Sequence, residues 1–149
     1  MKILLTGAAG FIGSTLALKL LERGDEVVGI DNFNNFYDPK FKENNIERLS
    51  SFSNFTLERG DFVNKDFLES IINKFKPEVI AHLGAMANVR HSIKHPQDFI
   101  DVNITGTNNL LELASSSNIK NFIFASTGSI YGSRTDVPFQ EKELSLIHI

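Results

Sequence analysis

Three glycines at regular spacing follow the first apolar segment of the chain and could form a phosphate-binding turn. Gly7, Gly10 and Gly13 come directly after Met1–Thr6, and apolar residues at helical spacing follow them, namely Leu16, Leu20 and Leu21. In a strand–turn–helix unit, the first glycine permits the tight turn, the second lets a pyrophosphate approach the backbone, and the third allows close packing of the helix. The helix N-terminus adds free N–H groups and a partial positive charge. The spacing therefore predicts a dinucleotide-binding turn.

An acidic residue, Asp31, stands where this kind of turn requires one. It follows Glu26–Ile30, whose apolar pattern predicts a second buried strand. A carboxylate at the end of that strand meets the adenosine ribose and accepts hydrogen bonds from both hydroxyl groups. It would repel a 2′-phosphate, and Asn32 and Phe33 supply no arginine to offset its charge. We therefore predict NAD rather than NADP as cofactor; the alternative is a solvated Asp at the start of a loop.

Strands and helices alternate along the rest of the sequence. Apolar segments predict three further strands, at Phe55–Glu58, Val79–Leu83 and Asn121–Ala125. Periodic apolar residues predict a helix that begins at Pro39 after an Asp38 N-cap, a helix at Asp66–Phe75, and a long helix at about Pro96–Ser116. We expect the charged residues of the first of these helices to form a solvated face: Lys40, Lys42, Glu43, Glu47 and Arg48.

Strands separated by helical crossovers form a parallel sheet that binds ligands at the carboxyl ends of its strands. We predict an α/β fold of the Rossmann type, a doubly wound parallel sheet with strand order 3-2-1-4-5. Residues 1–149 would form one NAD-binding domain. A complete fold of this order usually has a sixth strand, so we expect the domain to be truncated before its final strand or strands.

The composition is that of an ordinary globular protein. The 149 residues are 42% hydrophobic and 22% charged, which suits a single domain with its own core. A net charge of −3 gives no field to hold nucleic acid or an anionic membrane, and no segment is apolar over the length of a bilayer. Cysteine is absent, which excludes disulfides, thiolate metal sites and a cysteine nucleophile and is compatible with the cytoplasmic location that we expect.

The motifs together resemble the extended short-chain dehydrogenase/reductase family, which contains the nucleotide-sugar epimerases and dehydratases. The resemblance covers the chain through Glu141; beyond the glycine turn and Asp31 it rests on Gly60-Asp61, His82-Leu83-Gly84-Ala85, Asn103, Ala125-Ser126-Thr127 and Tyr131-Gly132. It implies that NAD is held by Gly7, Gly10, Phe11, Ile12, Gly13, Asp31, Asn32, Asp61, Phe62, Leu83, Gly84, Ala85 and Asn103.

Individual roles within this set also come from the resemblance. Asp61 would contact the adenine with Phe62 beside it, Leu83–Ala85 would line the ribose and pyrophosphate, and Asn103 would help to organise the active-site helix. Gly84 departs from the family's usual alanine, a change small enough to keep the backbone close to the cofactor. A turn residue is the alternative for Asp61, and a helix-surface residue for Asn103.

Thr127 is the candidate for chemistry on a substrate. On the residues alone, Ser126-Thr127 after a buried strand is more typical of loop capping than of catalysis. In the family, the matching hydroxyl hydrogen-bonds the reacting sugar oxygen, so the resemblance implies a catalytic Thr127 with Ser126 as a substrate contact. Sugar 4,6-dehydratases carry Asp-Glu after this Thr, to eliminate water by acid–base chemistry. Gly128 and Ser129 stand there instead, which disfavours dehydration.

Two segments resemble one subgroup of the family, the UDP-glucuronate 4-epimerases. They are Asn32–Asp38, with Lys42-Glu43 and Arg48-Leu49 after it, and Val89–Ser92, in which His91 replaces a tyrosine. The resemblance implies a homodimer that interconverts UDP-glucuronate and UDP-galacturonate by transient C4 oxidation. Arg90 would pair with the substrate's carboxylate or phosphate; a surface ion pair is the alternative. The His91 replacement leaves UDP-glucose or UDP-N-acetylglucosamine open as substrates.

The family's proton-transfer pair, a Tyr followed four positions later by Lys, does not occur in this sequence. Tyr37 has Phe41 at that offset and Tyr131 has Thr135. In the family the pair and the substrate domain lie further along, so we expect this chain to be an inactive cofactor half. The tail Leu144–Ile149 resembles translated adapter read-through, which favours a truncated gene product. A non-catalytic NAD-binding module is the alternative.

The histidines do not predict a metal site. His91 and His95 are four residues apart, but Pro96 begins a helix after them, and no carboxylate stands at the spacing of a zinc site. His82 ends a buried strand and is expected to be a structural residue. We therefore expect no bound metal.

Overall fold

Five parallel strands form a single sheet in the computed structural model, which describes residues 1–142. The tail Leu144–Ile149 lies outside the described residues. The strands are β1 Lys2–Thr6, β2 Glu26–Asp31, β3 Phe55–Arg59, β4 Val79–His82 and β5 Asn121–Phe124. Their order is β3-β2-β1-β4-β5, and all four pairings are parallel. The predicted doubly wound α/β fold with order 3-2-1-4-5 is confirmed.

Helices connect the strands on both sides of the sheet. The first three are α1 Phe11–Glu22, α2 Lys40–Leu49 and α3 Lys65–Phe75. After β4 come α4 Val89–Lys94, α5 Pro96–Phe99, a π-helical segment at Ile100–Gly106 and α6 Thr107–Ser116, and a 3₁₀ turn at Gly128–Tyr131 follows β5. No helix within residues 1–142 is long and apolar enough to cross a bilayer.

Several predicted boundaries differ from the structure because polar groups end or start the elements. Pro39 is the N-cap of α2 rather than its first residue, while the Asp38 carboxylate accepts the Lys40 N–H at 3.0 Å. β4 ends before Leu83, whose N–H turns to a threonine hydroxyl at 3.2 Å. The predicted helix at Pro96–Ser116 contains a π segment, which a regular apolar period cannot reveal.

Apolar residues are buried on both faces of the sheet. Alternate residues of a strand point to opposite faces, so Leu5 packs towards α1 and α2, whereas Leu4 packs towards α3 and α6. The first cluster includes Ile3, Val27, Ala17, Leu21, Ile46 and Leu49. The second includes Val28, Ile80, Leu68, Ile71, Leu110 and Leu113. A sheet covered by helices on both faces is what parallel strands require.

The edge strand β5 is much less covered than the strands at the centre. All four residues of β4 are buried, whereas Ile123 and Phe124 of β5 are 57% and 56% exposed. Within residues 1–142, β5 pairs only with β4. The residues that follow β5, including Thr127, therefore start from an open edge of the sheet.

Candidate functional site

The turn between β1 and α1 depends on its glycines for two different reasons. Gly7 has a φ of +70°, and a Cβ there would lie 2.9 Å from the Gly84 backbone. A Cβ on Gly13 would lie 2.0 Å from the Gly7 carbonyl oxygen, so a side chain at either position would displace the backbone. At Gly10 a Cβ would meet only that same oxygen, at 3.2 Å. Gly10 thus leaves the face of the turn open, while Gly13 lets α1 pack on the turn itself.

The N-terminus of α1 is free to bind an anion. The Ser14 N–H makes the first bond of the helix, to the Gly10 carbonyl at 2.9 Å, so the N–H groups before it have no such acceptor. No side chain caps this end, and its first turn holds no acidic residue. The side chains of Phe11 and Ile12 are 84% and 69% exposed. Free donors and the positive end of the helix dipole suit a pyrophosphate.

A cavity of about 360 Å³ opens beside the turn at the carboxyl ends of the strands. Most of the predicted cofactor residues line it: Gly7, Gly10, Asp31, Asn32, Phe62, Leu83, Gly84 and Ala85. Sequence reasoning did not assign a cofactor contact to several other lining residues: Ile30, Asn34, Phe36, Tyr37, Lys42, Met86, Ala87 and Val102. The volume is in the range of small-molecule sites, and the position is the one where open α/β sheets bind ligands.

Asp31 is a buried residue that is paired with a lysine, so the solvated alternative does not hold. Its Oδ2 accepts the Ala9 N–H at 3.2 Å, and its Oδ1 accepts the Phe33 N–H at 2.9 Å and the Lys42 ammonium at 3.1 Å. A carboxylate has about four lone-pair sites. Three of these sites are used within the chain, so one site remains for a ribose hydroxyl. The sequence had predicted hydrogen bonds from both ribose hydroxyl groups.

Lys42 corrects two predictions made from the sequence. It is buried rather than part of a solvated face, and its cation does offset the Asp31 charge. Its ammonium also donates to Asn34 Oδ1 at 3.1 Å and lies 5.3 Å from the centre of the Tyr37 ring. The signal was present in the sequence, because Lys42 is spaced four and seven residues before Ile46 and Leu49, the other buried residues of α2.

A buried chain of hydrogen bonds joins β1, β4 and α6 beneath the cavity. The Thr6 hydroxyl oxygen accepts the N–H groups of Leu83 and Gly84 at 3.2 and 3.0 Å and lies 2.7 Å from His82 Nδ1. Both lone pairs of the Thr6 hydroxyl oxygen are used, so the hydroxyl must donate its hydrogen bond to His82 Nδ1. Neutral His82 therefore carries its proton on Nε2, which donates to the Thr107 hydroxyl at 2.9 Å.

His82 is the structural residue that the sequence predicted. Burial lowers the pKa of His82 from 6.5 to about 4, so the ring is neutral at pH 7 and Nδ1 can accept a hydrogen bond from the Thr6 hydroxyl. Through Thr6 it fixes the backbone of Leu83 and Gly84, which line the cavity. The neutral imidazole thus positions the cavity wall without touching the cavity.

The absence of a side chain at Gly84, where the family usually has alanine, makes room for the ring of Phe62. A Cβ at Gly84 would lie 2.7 Å from the Phe62 ring, and a Cβ at Gly106 would lie 2.5 Å from it. The ring meets His82 edge-on, with 5.1 Å between centroids. Phe62 is buried between these glycines and still lines the cavity. Alanine at position 84 would therefore require the Phe62 ring to move.

Asn103 and Asp61 act on the walls of the site through the backbone and through Asn32. The Asn103 amide accepts the Met86 N–H at 2.8 Å and donates to the Met86 carbonyl at 2.9 Å. Asp61 accepts the Val63 N–H at 2.9 Å, as a turn residue does, and also the Asn32 amide at 2.8 Å. Neither lines the cavity beside the glycine turn, so a direct cofactor contact remains a prediction for both.

The predicted substrate residues Arg90, Ser126 and Thr127 are exposed. The Thr127 hydroxyl caps the 3₁₀ turn by accepting the Ser129 N–H at 3.3 Å, which is the capping role that its sequence suggests. Arg90 lies in α4 and makes no ion pair with any residue of the described chain. Its availability suits a charged ligand, and the catalytic role of Thr127 stays a prediction.

A carboxylate does accompany the two histidines that follow β4. Ligand atoms of His91, His95 and Asp98 all lie within 4.8 Å of one another. Asp98 could not be found from the sequence spacing, because the chain turns between α4 and α5, at His95. The turn places the three side chains together although the helix is interrupted.

A parallel sheet whose glycine turn and buried acidic residue meet at one cavity defines a dinucleotide-binding domain of the Rossmann type. Comparison with known proteins agrees with this class. The sequence model of the family described as GDP-mannose 4,6 dehydratase matches residues 4–145, and the chain belongs to that family. The resemblance to nucleotide-sugar epimerases and dehydratases is thereby confirmed.

The relatives include enzymes that act on UDP-sugars. UDP-glucuronate 4-epimerase 1 of Arabidopsis thaliana is 40% identical over 144 residues, which are 96% of this chain and 33% of that protein. The Bacillus cereus UDP-glucuronic acid 4-epimerase, solved with UDP-glucuronic acid and NAD, is 39% identical with a TM-score of 0.86, covering 97% of this chain and 45% of that one. The Thermotoga maritima UDP-glucose 4-epimerase, solved with UDP-glucose, is 35% identical with a TM-score of 0.80, covering 97% of this chain and 44% of that one. The chain spans less than half the length of each.

Proposed function

We propose that this chain is the NAD-binding part of a sugar-nucleotide 4-epimerase that interconverts UDP-glucuronate and UDP-galacturonate. The observation that carries the proposal is the open face at Gly10 beside buried Asp31, at the mouth of one cavity. Support for the reaction comes from the likeness to UDP-glucuronate 4-epimerases, one of them solved with NAD. In this proposal the intact protein is a cytoplasmic homodimer, and residues 1–149 form an incomplete Rossmann domain whose substrate domain lies elsewhere.

The chemistry of the residues around the cavity suits NAD. The free N–H groups of Phe11, Ile12 and Gly13 would hold the pyrophosphate, and the remaining lone pair of Asp31 would accept a ribose hydroxyl. The backbone at Leu83–Ala85, fixed by Thr6, would line the rest of the dinucleotide. The chemistry that NAD supplies when bound is reversible acceptance of a hydride, which transient oxidation at C4 requires.

The substrate residues favour epimerisation over dehydration. Thr127 would hydrogen-bond the C4 oxygen, and Ser126 would contact the sugar beside it. Arg90, an exposed cation in α4, would pair with the carboxylate or phosphate of the substrate. The family is named after a dehydratase, but elimination of water needs an acid and a base next to the reacting carbon. Gly128 and Ser129 follow Thr127 and supply neither.

UDP-glucose is the second candidate substrate. His91 replaces the tyrosine of the segment in which this chain resembles the UDP-glucuronate 4-epimerases. The likeness to a UDP-glucose 4-epimerase is also extensive. The two substrates differ at C6, where only glucuronate carries a negative charge. Arg90 tests the choice, because pairing with the C6 carboxylate would matter for UDP-glucuronate alone, whereas pairing with a phosphate would matter equally for both substrates.

The experiment uses the intact protein, produced from the extended gene, with UDP-glucuronate, UDP-glucose and UDP-N-acetylglucosamine supplied separately. Chromatography of the products should show UDP-galacturonate as the main product, with no net change in NADH absorbance. Arg90→Gln should lower turnover of UDP-glucuronate more than that of UDP-glucose. Faster epimerisation of UDP-glucose would move the assignment to the second candidate. A 4-keto-6-deoxy product would refute epimerisation, and NAD binding without any turnover would favour a non-catalytic module.

A further inference from the structure

A cluster of three metal-ligating side chains lies outside the glycine turn, where α4 meets α5. His91 belongs to α4, His95 forms the junction, and Asp98 belongs to α5. One ligand atom from each lies within 4.8 Å of the other two. In a tetrahedral site with bonds of about 2.0–2.2 Å, ligand atoms are about 3.4 Å apart. His95 and Asp98 are exposed, so both side chains can rotate, and His95 would have to turn out of its stack on the His91 ring for both imidazoles to face one metal.

The donor atoms of the cluster are not engaged elsewhere in the described chain. Among residues 1–142, the imidazole nitrogens of His91 and His95 and the Asp98 carboxylate make no hydrogen bond or ion pair. The atoms are therefore available to a ligand that accepts lone pairs.

The position of His91 is fixed by aromatic packing. The His91 ring meets the Phe36 ring edge-on, with 5.1 Å between centroids, and stacks on the His95 ring at 4.5 Å. His91 and Asp98 also line a second cavity of about 630 Å³, together with the carboxylates of Asp61 and Asp101. One ligand is thus held in place, and the surrounding carboxylates favour a cation.

We propose that His91, His95 and Asp98 bind a transition-metal dication of the Zn²⁺ class. Two imidazoles and a carboxylate suit zinc, with water in the fourth position, and do not suit Mg²⁺, which prefers oxygen ligands in octahedral geometry. The metal would join α4 to α5 across the junction at His95. None of the three ligands lines the cavity beside the glycine turn, although Asn34, Phe36, Met86 and Val102 line both that cavity and the second one. The proposal does not depend on the proposed reaction.

The test is titration of the full chain with Zn²⁺ by calorimetry, with Mg²⁺ as the cation that should give no heat. We expect one Zn²⁺ per chain and a rise in melting temperature, because a ligand that binds the folded state stabilises it. Asp98→Asn and His95→Ala should each weaken Zn²⁺ binding by at least about tenfold, since even outer-shell partners of a metal contribute that much. Co²⁺ in place of Zn²⁺ should give the visible absorption of a tetrahedral site.

Asp101→Asn is the matched control, because Asp101 lines the same cavity but its carboxylate accepts the Gln97 amide at 2.7 Å. It should leave Zn²⁺ affinity within about twofold of the original, as expected for a residue that is not a ligand. Circular dichroism checks that each variant is folded. The site is refuted if Zn²⁺ gives no saturable binding, if Asp98→Asn binds as tightly as the original, or if Asp101→Asn weakens binding as much as Asp98→Asn.

Discussion

The two ends of the candidate site are built in opposite ways. On the cofactor side, Asp31 is buried and accepts three hydrogen bonds from within the chain. On the substrate side, Thr127 is exposed and follows β5, whose last two residues are more than half exposed. The geometry around Asp31 is therefore set by contacts from several segments of residues 1–142, whereas within the same residues the hydroxyl of Thr127 contacts only Ser129, in its own short turn. Cofactor binding and catalysis should respond differently to mutation.

The largest expected effect separates two glycines of the same turn. Gly10→Val should abolish NAD binding, because its side chain occupies the open face, and should destabilise the fold less than Gly13→Ala does, because its Cβ would lie 3.2 Å from the Gly7 carbonyl oxygen and a small shift would relieve that contact. Gly13→Ala should lower the free energy of unfolding by about 1–3 kcal/mol, because its Cβ overlaps the Gly7 carbonyl oxygen. Calorimetric NAD titration and thermal melts measure the two. Equal loss of stability in both variants would contradict the division.

The second prediction concerns the exposed side of the comparison. In the intact enzyme, Thr127→Ala should lower kcat by about 10²–10³-fold, because one oriented hydrogen bond in the transition state is lost. The dissociation constant of NAD should not change, since Thr127 does not line the cavity beside the glycine turn. Thr127→Ser keeps the hydroxyl and should be much milder. Steady-state kinetics and NAD titration test this, and a Ser variant as slow as the Ala variant would exclude the hydroxyl role.

A third prediction uses the buried histidine of the cofactor side. The pKa of His82 falls from 6.5 to about 4 on folding, so between about pH 6.5 and 4 the unfolded chain binds a proton that the folded chain does not. Stability is then lost as pH falls from 6.5 to 4, by about 3 kcal/mol in all. Urea unfolding at several pH values measures the slope, and His82→Asn, which cannot titrate, is the control. An identical slope in the control would mean that His82 is not held neutral.

The smallest expected effect is on the choice between NAD and NADP. Asp31→Asn keeps an acceptor but removes the charge, and it leaves the Lys42 ammonium without its carboxylate. NAD should bind about tenfold more weakly, as for one bond to a charged group, while NADP should lose less because Lys42 can face the 2′-phosphate. Adding Lys42→Gln should remove that advantage. Parallel titrations decide, and an unchanged preference in Asp31→Asn would show that Asp31 does not set it.

The sequence predicted the features that depend on neighbouring residues. Strand order, the turn at Gly7 and the place of Asp31 follow from local patterns of apolar residues and glycines, and the structure agrees with them. The prediction that Lys42 is solvated was wrong. It rested on the rule that charged residues are ordinarily exposed, although the spacing of Lys42 from Ile46 and Leu49 indicated burial. The sequence could not show that Thr6, His82 and Thr107 form one chain of bonds, because these residues come together only after three segments pack.

Asp98 and Asn103 illustrate the same limit at the other end of the cavity. Both lie in a region where the sequence predicted one regular helix, and the structure has α5 followed by a π segment. The break at His95 turns Asp98 towards the histidines, and the π segment carries the Asn103 amide that binds Met86. An apolar period reports which face of a helix is buried but not where its turns widen.

The tautomer of His82 has a spectroscopic consequence. Its Nε2–H is buried and bonded to Thr107, so its exchange with solvent requires an opening of the fold and should be slow. A slowly exchanging imidazole proton gives its own signal in a nuclear magnetic resonance spectrum. Because the same ring is bonded through Thr6 to the cavity wall, a single proton could record when a dinucleotide enters the cavity.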